Sequence, residues 1–440
     1  MDELSEKLIE AIKNDLTPSL GVTEPGAIAY ASACAARALG GKPGRVSVRL
    51  NSGIYKNSFT CAVPGTGGMG CALAAALGAA AGDPERKLMC TENASDEDIA
   101  FAKRLVSEGR ASAELAEISP EIYIEADVET DRGRARAVIE GRHDRLTKLI
   151  VNGVETPVEC AGAEKPEERF RVSSVSFDNM IECADTAEGL GFIDEAIDMN
   201  MALFEEGRRS DLMPLTKARH SHAHPIGAAA RDYADLFTAG AIEARVRGAN
   251  SPAMAITGSG SHGILCTLPV HETAVFYGID DAERKRAVLL SMLITTYIKE
   301  NSGLLSTACG CVLAGGTGAA LGITYLLAKS GALTGKPVSG RAALKKALAD
   351  ALNSMAASVT GMICHGGNTG CSLKASVGVN MAFSAAEMAV NGVGAESVHG
   401  ILGASPEDTM RNMGSIARDM LPVERSIIDI MSCKSGKHLL

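Results

Sequence analysis

The first residues repeat apolar positions at helical spacing: Leu4, Leu8, Ile9 and Ile12 share one face, and charged residues fill the other. The spacing predicts an amphipathic helix over 2–16. A second helix is expected to open at Thr23 or Glu24, with Pro25 in its first turn, and to stop at Gly40–Gly41. Its Ala-rich composition predicts burial on most sides. Residues 45–50, RVSVRL, alternate apolar and polar and read as a strand. A glycine-rich turn at Pro64–Gly70 then feeds a helix over 71–81. Between 84 and 165 the period changes: one helix, 95–108, precedes strands at 121–129, 135–140 and 149–154 joined by polar turns. Helical spacing dominates afterwards, in two segments between 166 and 208 and then over 226–248, 281–300, 319–328, 342–358, 372–391 and 406–432.

This order predicts an α+β fold. A largely helical catalytic domain (1–83 and 166–440) is interrupted by a small inserted mixed or antiparallel α/β domain (84–165). The insert carries no motif that suggests chemistry, so a structural or oligomer-forming role is expected of it. A length of 440 residues fits two or three domains of roughly 150 residues. Tryptophan is absent and aromatics are scarce. The core must therefore come from Ala, Leu, Ile, Val and Met, which favours close-packed helices.

Charge narrows the function classes. Lys and Arg total 43 against 53 Asp and Glu, a net charge of −10, and no basic run breaks the pattern. Such a chain is a poor nucleic-acid binder. No stretch of about 18 apolar residues has membrane flanks, and the charged, helical N-terminus is not a signal peptide. A cytoplasmic protein with reduced thiols is expected. Of its 12 cysteines, Cys34, Cys61, Cys71, Cys90, Cys160, Cys183 and Cys266 sit singly in apolar or mixed segments and read as small buried hydrophobes. A structural zinc ribbon would need paired CxxC motifs, which are absent.

The remaining chemistry gathers in two segments. SGLLSTACGCVLAGGTGAALG (302–322) carries Cys309 and Cys311; GMICHGGNTGCSLKASVG (361–378) carries Cys364 and Cys371. Glycine and small neighbours let backbone approach a bulky ligand closely. Three or four thiolates are expected to converge on one metal centre, read as an iron–sulfur cluster with an open iron. Lys56 and Asn57 precede the glycine-rich turn, where a helix N-terminus suits a small carboxylate; the Gly-Lys-Ser/Thr ending of a nucleotide loop is missing. The loop 257–263, TGSGSHG, is dense in N–H and hydroxyl groups and also suits an anion, with His262 a candidate acid or base. His220, His222 and His224 alternate in KARHSHAHPIG and could meet a metal or simply face solvent.

The stretches GVTEPGAIAYA, KNSFTCAVPGTG, ITGSGSHGI, TTYIKENSGLLSTACGC and GMICHGGNTGCSLK occur in an order that resembles the L-cysteine desulfidase family, itself related to the iron–sulfur L-serine dehydratase alpha chain. The resemblance spans almost the whole chain. It implies a pyridoxal-free lyase that performs β-elimination on a small amino acid or hydroxy acid. It also implies a [4Fe–4S] cluster held by Cys311, Cys364 and Cys371, with Cys309 an alternate first ligand. Its open iron would act as a Lewis acid. His262, His365 and Lys56 are then the expected catalytic groups; Thr23, Glu24, Asn57, Ser259, Gly260 and Ser261 the expected substrate contacts. The chain also departs from that family. Val22 stands where a cysteine is usual, His365 follows Cys364 where an aspartate is usual, and Ser261–His262 replace Asn–Gln. A homologue with retained cluster chemistry and a different substrate is expected, acting on a small molecule as a homodimer. The competing expectations are a zinc-type hydrolase built on His220, His222 and His224, and a non-catalytic ligand-binding homologue.

Overall fold

The computed structural model describes residues 2–158, 170–221 and 229–434. Cys160, His222 and His224 lie outside the described residues. The α+β class is observed: among the described residues, sixteen α-helices accompany one six-stranded mixed sheet and two small two-stranded pairings.

In chain order the first part comprises α1 (Glu3–Asp15), β1 (Thr17–Leu20), α2 (Thr23–Leu39), β2 (Arg45–Asn51), α3 (Ser52–Ser58), β3 (Ala62–Val63), β4 (Gly68–Met69), α4 (Cys71–Ala81) and α5 (Asp96–Ser107). Strands β5 (Ala111–Glu117), β6 (Tyr123–Thr130), β7 (Gly133–Glu140), β8 (Leu146–Val151) and β9 (Val154–Thr156) follow. The sheet runs β5-β2-β6-β7-β8-β9, with β2 parallel to β5 and every other pairing antiparallel. Alternation decides its faces. Val46, Val48 and Leu50 of β2 and Ile124, Ala126 and Val128 of β6 are sealed beneath α2 and α4. Each large aliphatic side chain buried this way contributes about 1.5–3 kcal/mol. Helices α2 and α4 meet through small residues, and Gly78 lies directly against the backbone of Ala29. The apolar core of this layer runs from Ala27 to Ile139, so it begins well upstream of residue 84.

The second layer comprises α6 (Phe177–Thr186), α7 (Gly191–Arg209), α8 (Pro214–Ser221), α9 (Ala230–Val246), β10 (Pro252–Ala255), α10 (Gly260–Tyr277) and α11 (Asp281–Ser302). A π-helical turn, Cys311–Gly316, leads into α12 (Thr317–Ser330), followed by α13 (Arg341–Val359), α14 (Gly370–Val390), α15 (Pro406–Asp419) and α16 (Leu421–Ser432). Residues Cys311–Ser330 are apolar and long enough to cross a membrane, but 94% of that window is buried. Packed among α10, α11, α13 and α14, this segment is the central helix of the layer. A sequence apolar on all sides is expected at that position.

Two joints tie the layers together. Strand β1 pairs antiparallel with β10, placing Thr17 opposite Ala255 at the edge of the 257–260 turn. Leu305, on the loop after α11, inserts into the core of the α/β layer against Gly53. The candidate site lies between these joints.

Candidate functional site

The two cysteine segments clasp one another. Cys309 N donates to Met362 O (2.7 Å) and Cys364 N to Thr307 O (2.6 Å), around an antiparallel bridge between Ala308 and Ile363. Cys371 sits in the first turn of α14 and donates to Gly366 O at 3.6 Å. Cys311 opens the π-helical turn, a distortion often found at functional sites. The four thiols act on one another: a hydrogen bond from the Cys311 thiol holds Cys309 down at about 6, and the same bond drives Cys311 upward. Burial, then the Cys364 charge, pushes Cys371 up to about 12. Val22 and the buried Cys61 pack against Cys371. The position where the resembled family has a thiol therefore borders the cysteine centre.

Behind the clasp lie two cations that the sequence reading passed over. Lys299 is 2% exposed; its Nζ donates to Leu304 O at 3.2 Å and makes no ion pair among the described residues. Burial pulls its pKa down to about 8, partly offset by Cys311, Cys364 and Cys309. Arg245, also 2% exposed, likewise lacks an ion pair among the described residues. Its Nε donates to Gly21 O (3.0 Å), Nη1 to Ser261 Oγ (2.8 Å) and Nη2 to Thr23 Oγ1 (3.1 Å). A buried charge is costly unless paired. Two such cations, with Glu24 the carboxylate that acts most on both, make an anion-seeking centre. Their sequence settings, AGAIEARV and LLSMLITTYIKE, each place a glutamate within two residues of the cation and gave no sign that the charge would go unpaired.

His262 stands between the cations and the thiols. Thr257 Oγ1 donates to Ile256 O at 2.7 Å, so it accepts from His262 Nδ1 at 2.7 Å, which assigns the proton to Nδ1. The free Nε2 faces Gly310, between the paired cysteines; a β-carbon there would lie 2.8 Å from Nε2 and 3.1 Å from Lys299 Nζ. Burial, then Lys299 and Arg245, holds this imidazole well below its ordinary pKa, so it is neutral. Thr257 adopts φ +50°, a strained choice for a β-branched residue, and its amide is fastened to Asp15 Oδ2 at 2.5 Å.

The α/β layer supplies the opposite wall, through the residues of the 1–83 segment that were expected to serve the site. Thr23 and Glu24 open α2, and Lys56 and Asn57 ride on α3. Asn57 links Glu24 to the cysteines: Nδ2 donates to Glu24 Oε1 (2.7 Å), and Oδ1 accepts from Cys364 Sγ (3.7 Å). Lys56 pairs with Glu424 Oε2 of α16 at 2.8 Å, both side chains fully buried. Burial works against that ammonium, but Cys364 and Glu424 outweigh it and hold its pKa raised. His143, on the loop between β7 and β8, is 4% exposed and abuts Gly258; its sequence setting, RHDRL, reads as a polar turn and gave no signal.

Ser261 is buried and faces Arg245, Gly260 lies against the Arg245 guanidinium, and Ser259 is half-buried at the head of α10. His365 is exposed on the outer side of its loop, with Nδ1 held 3.1 Å from Asn368 Nδ2; it does not join His262. His220 on α8 lies apart from the cysteines, its Nε2 3.2 Å from Asp235 Oδ2.

Residues 85–427 match the family described as serine dehydratase alpha chain. The chain belongs to that family. Across 434 residues it is 35% identical to a UPF0597 protein of Clostridium botulinum (strain Okra), covering 96% of this chain and 98% of that one. UPF0597 proteins of Geobacter sulfurreducens and Bacteroides fragilis are each 33% identical over 436 residues, covering 96% and 98% of this chain and 97% and 98% of theirs. The resemblance read from the cysteine motifs thus holds, as that of a divergent member. The stretch matching the serine dehydratase alpha chain takes in all four clasp cysteines, Arg245, His262 and Lys299, and starts after Thr23–Asn57.

Whether the residues suit an iron–sulfur cluster is a question about donors. Among the described residues no three His, Cys, Asp or Glu side chains are gathered around a single-ion position. A four-iron cluster takes its thiolates on separate irons, so its ligands need not crowd one point. Soft thiols from two mutually bonded, glycine-rich segments fit that group, and Lys299 supplies a counter-charge beside them.

Proposed function

We propose that this protein is an iron–sulfur-dependent, pyridoxal-free lyase that catalyses β-elimination from a small amino acid or hydroxy acid. The observation that carries the reading is the meeting of four interacting thiols with a neutral, oriented His262 and two buried cations that have no carboxylate partner. Cys311, Cys364 and Cys371 would hold the cluster, with Cys309 beside Cys311 as the alternate first ligand. When bound, the cluster supplies a Lewis-acidic iron for the leaving group.

The chain's own residues account for the rest. Arg245, Ser261 and the N–H groups opening α10 offer the carboxylate a fork and a helix terminus together. His262 Nε2, its tautomer locked by Thr257, accepts the α-proton. Burial, then Lys299 and Arg245, keeps that imidazole neutral, and Lys299 faces the same space. Glu24, tied to Asn57, provides the acceptor that an ammonium or hydroxyl on Cα requires. Burial of all these groups excludes water and strengthens each contact.

The test is anaerobic. Purified or reconstituted protein should be brown and bind about four irons per chain, and Cys311→Ser, Cys364→Ser and Cys371→Ser should each lower iron and sulfide content. A panel of L-serine, L-cysteine, L-threonine and hydroxy acids, followed by keto-acid release, then finds the activity. Protein that stays iron-free after reconstitution refutes the proposal.

A further inference from the structure

The turn at 257–260 is gripped from both sides. A β-carbon on Gly260 would lie 2.7 Å from Arg245 Nε, and one on Gly258 would lie 3.0 Å from His143 Nδ1. Positions two apart along a chain are separated by at most about 7 Å. A guanidinium from the helical layer and an imidazole from the α/β layer therefore flank one turn, at a distance a small molecule spans.

His143 has no structural task that accounts for it. Its Nε2 is buried and has no hydrogen-bond partner among the described residues, and buried polar atoms are ordinarily satisfied. The ring borders a cavity of about 40 Å³ shared with Asp15, Thr17, Thr23, Asp144 and Leu304. A water needs roughly 10–15 Å³ of such space, so about three or four non-hydrogen atoms fit. Thr23 accepts from Arg245 and also lines the cavity, so the space lies beside the guanidinium.

Charge selects the ligand group. Asp15 and Asp144 both line the cavity, and Arg142 at its edge is engaged by Asp144 (Nε to Oδ1, 3.2 Å). Asp144 also takes Lys87 Nζ at 3.7 Å, so a carboxylate entering there would meet two others and, among the described residues lining the cavity, only a cation already paired. We propose that His143 is a substrate-binding residue: its Nε2 receives an uncharged hydrogen-bonding group, a hydroxyl or carboxamide, borne beyond Cβ by a small acid whose carboxylate sits at Arg245. This inference rests on the lyase reading for the place of the carboxylate and deepens it. The substrate is a β-substituted amino or hydroxy acid with a polar end, rather than serine.

L-Threonine and 4-hydroxy-L-threonine differ by one hydroxyl on C4 and separate the alternatives. With anaerobically purified full-length protein, kcat/KM should favour the hydroxylated probe by at least about tenfold, since a site built to bond a hydroxyl rejects the analogue lacking it. His143→Leu should reduce that ratio to about one, and His143→Gln, which keeps a polar end, should restore part of it. The rise in Tm on ligand addition should rank the same pairs without turnover. If neither probe reacts but 4-hydroxy-L-threonine still stabilises only wild-type and His143→Gln protein, the subsite stands and the lyase reading fails. A wild type without preference, or an equal preference in folded His143→Leu, overturns the inference. Iron content and melting of each variant establish folding; if the Leu variant does not fold, wild-type preference and the Gln variant decide.

Discussion

Glu424 should act as the fastening of the C-terminal helix. It is 2% exposed and accepts from Lys56 Nζ at 2.8 Å and from Thr307 Oγ1 at 2.9 Å, so one carboxylate joins α16 to α3 and to the cysteine loop. The apolar contact beside it is small: Ile427 and Met431 meet Phe59, with Tyr55 at the edge. Glu424→Ala would leave a buried ammonium without its counter-charge, which costs about 3–5 kcal/mol. Because that cost falls on docking of one helix, it should appear as local opening. At about 1.4 kcal/mol per factor of ten, amides of residues 421–432 should exchange about a hundred to a few thousand times faster. Amides in α11 and α12 should be unchanged. Hydrogen exchange read by mass spectrometry on iron-free, reduced protein measures this directly. Replacing both partners, Lys56→Met with Glu424→Leu, should return exchange to within about tenfold of wild type, because an apolar pair removes the stranded charge. If Glu424→Ala exchanges within threefold of wild type across 421–432, the pair does not hold the helix and the reasoning is refuted.

Three further outcomes are expected. Arg245→Lys keeps the charge but loses the fork that contacts Gly21, Thr23 and Ser261; kcat/KM should fall by about a hundredfold, chiefly in KM if the group binds the carboxylate, and an unchanged KM would remove it from that role. His271 is held down to about 4 by burial, then by Arg284, against 6.5 for the free group. The unfolded chain then binds the extra proton, so this contribution is complete above pH 6.5 and is lost as pH falls toward 4. The loss amounts to about 3 kcal/mol, and His271→Gln should flatten urea-denaturation stability between pH 7 and 4.5. Val22→Cys places a thiol beside Cys371 and Cys61; sulfide release from L-cysteine should rise in this variant, and no change would mean that the border position does not govern desulfurisation.

Local periodicity exposed the helices and central strands because their burial follows from their own sequence. It failed where a partner decides. Residues 111–117, ASAELAE, have no strand signature, yet they form β5 because β2 offers an open edge and pairs with them in parallel register. Residues 52–58 look like a loop but coil into α3, which is what aims Lys56 at Glu424 and Asn57 at Glu24. The cysteines were legible for a different reason: four thiols in two glycine-rich segments are chemically conspicuous before any fold is known. Arg245, Lys299 and His143 were not. A charged residue in a sequence announces a charge but not whether a partner will neutralise it, and that question is settled only when distant segments meet. Arg245 is unusual because Gly21, Thr23 and Ser261 satisfy its hydrogen bonds while none of them satisfies its charge. His143 is unusual because the sheet delivers it to Gly258 and leaves Nε2 without a partner. Both properties are unmet needs of the fold, and perturbed or unpaired buried groups of this kind gather at functional sites. On the proposed reading the thiols point to the kind of chemistry, and the unmet charge and the unmet nitrogen to the molecule on which it would act.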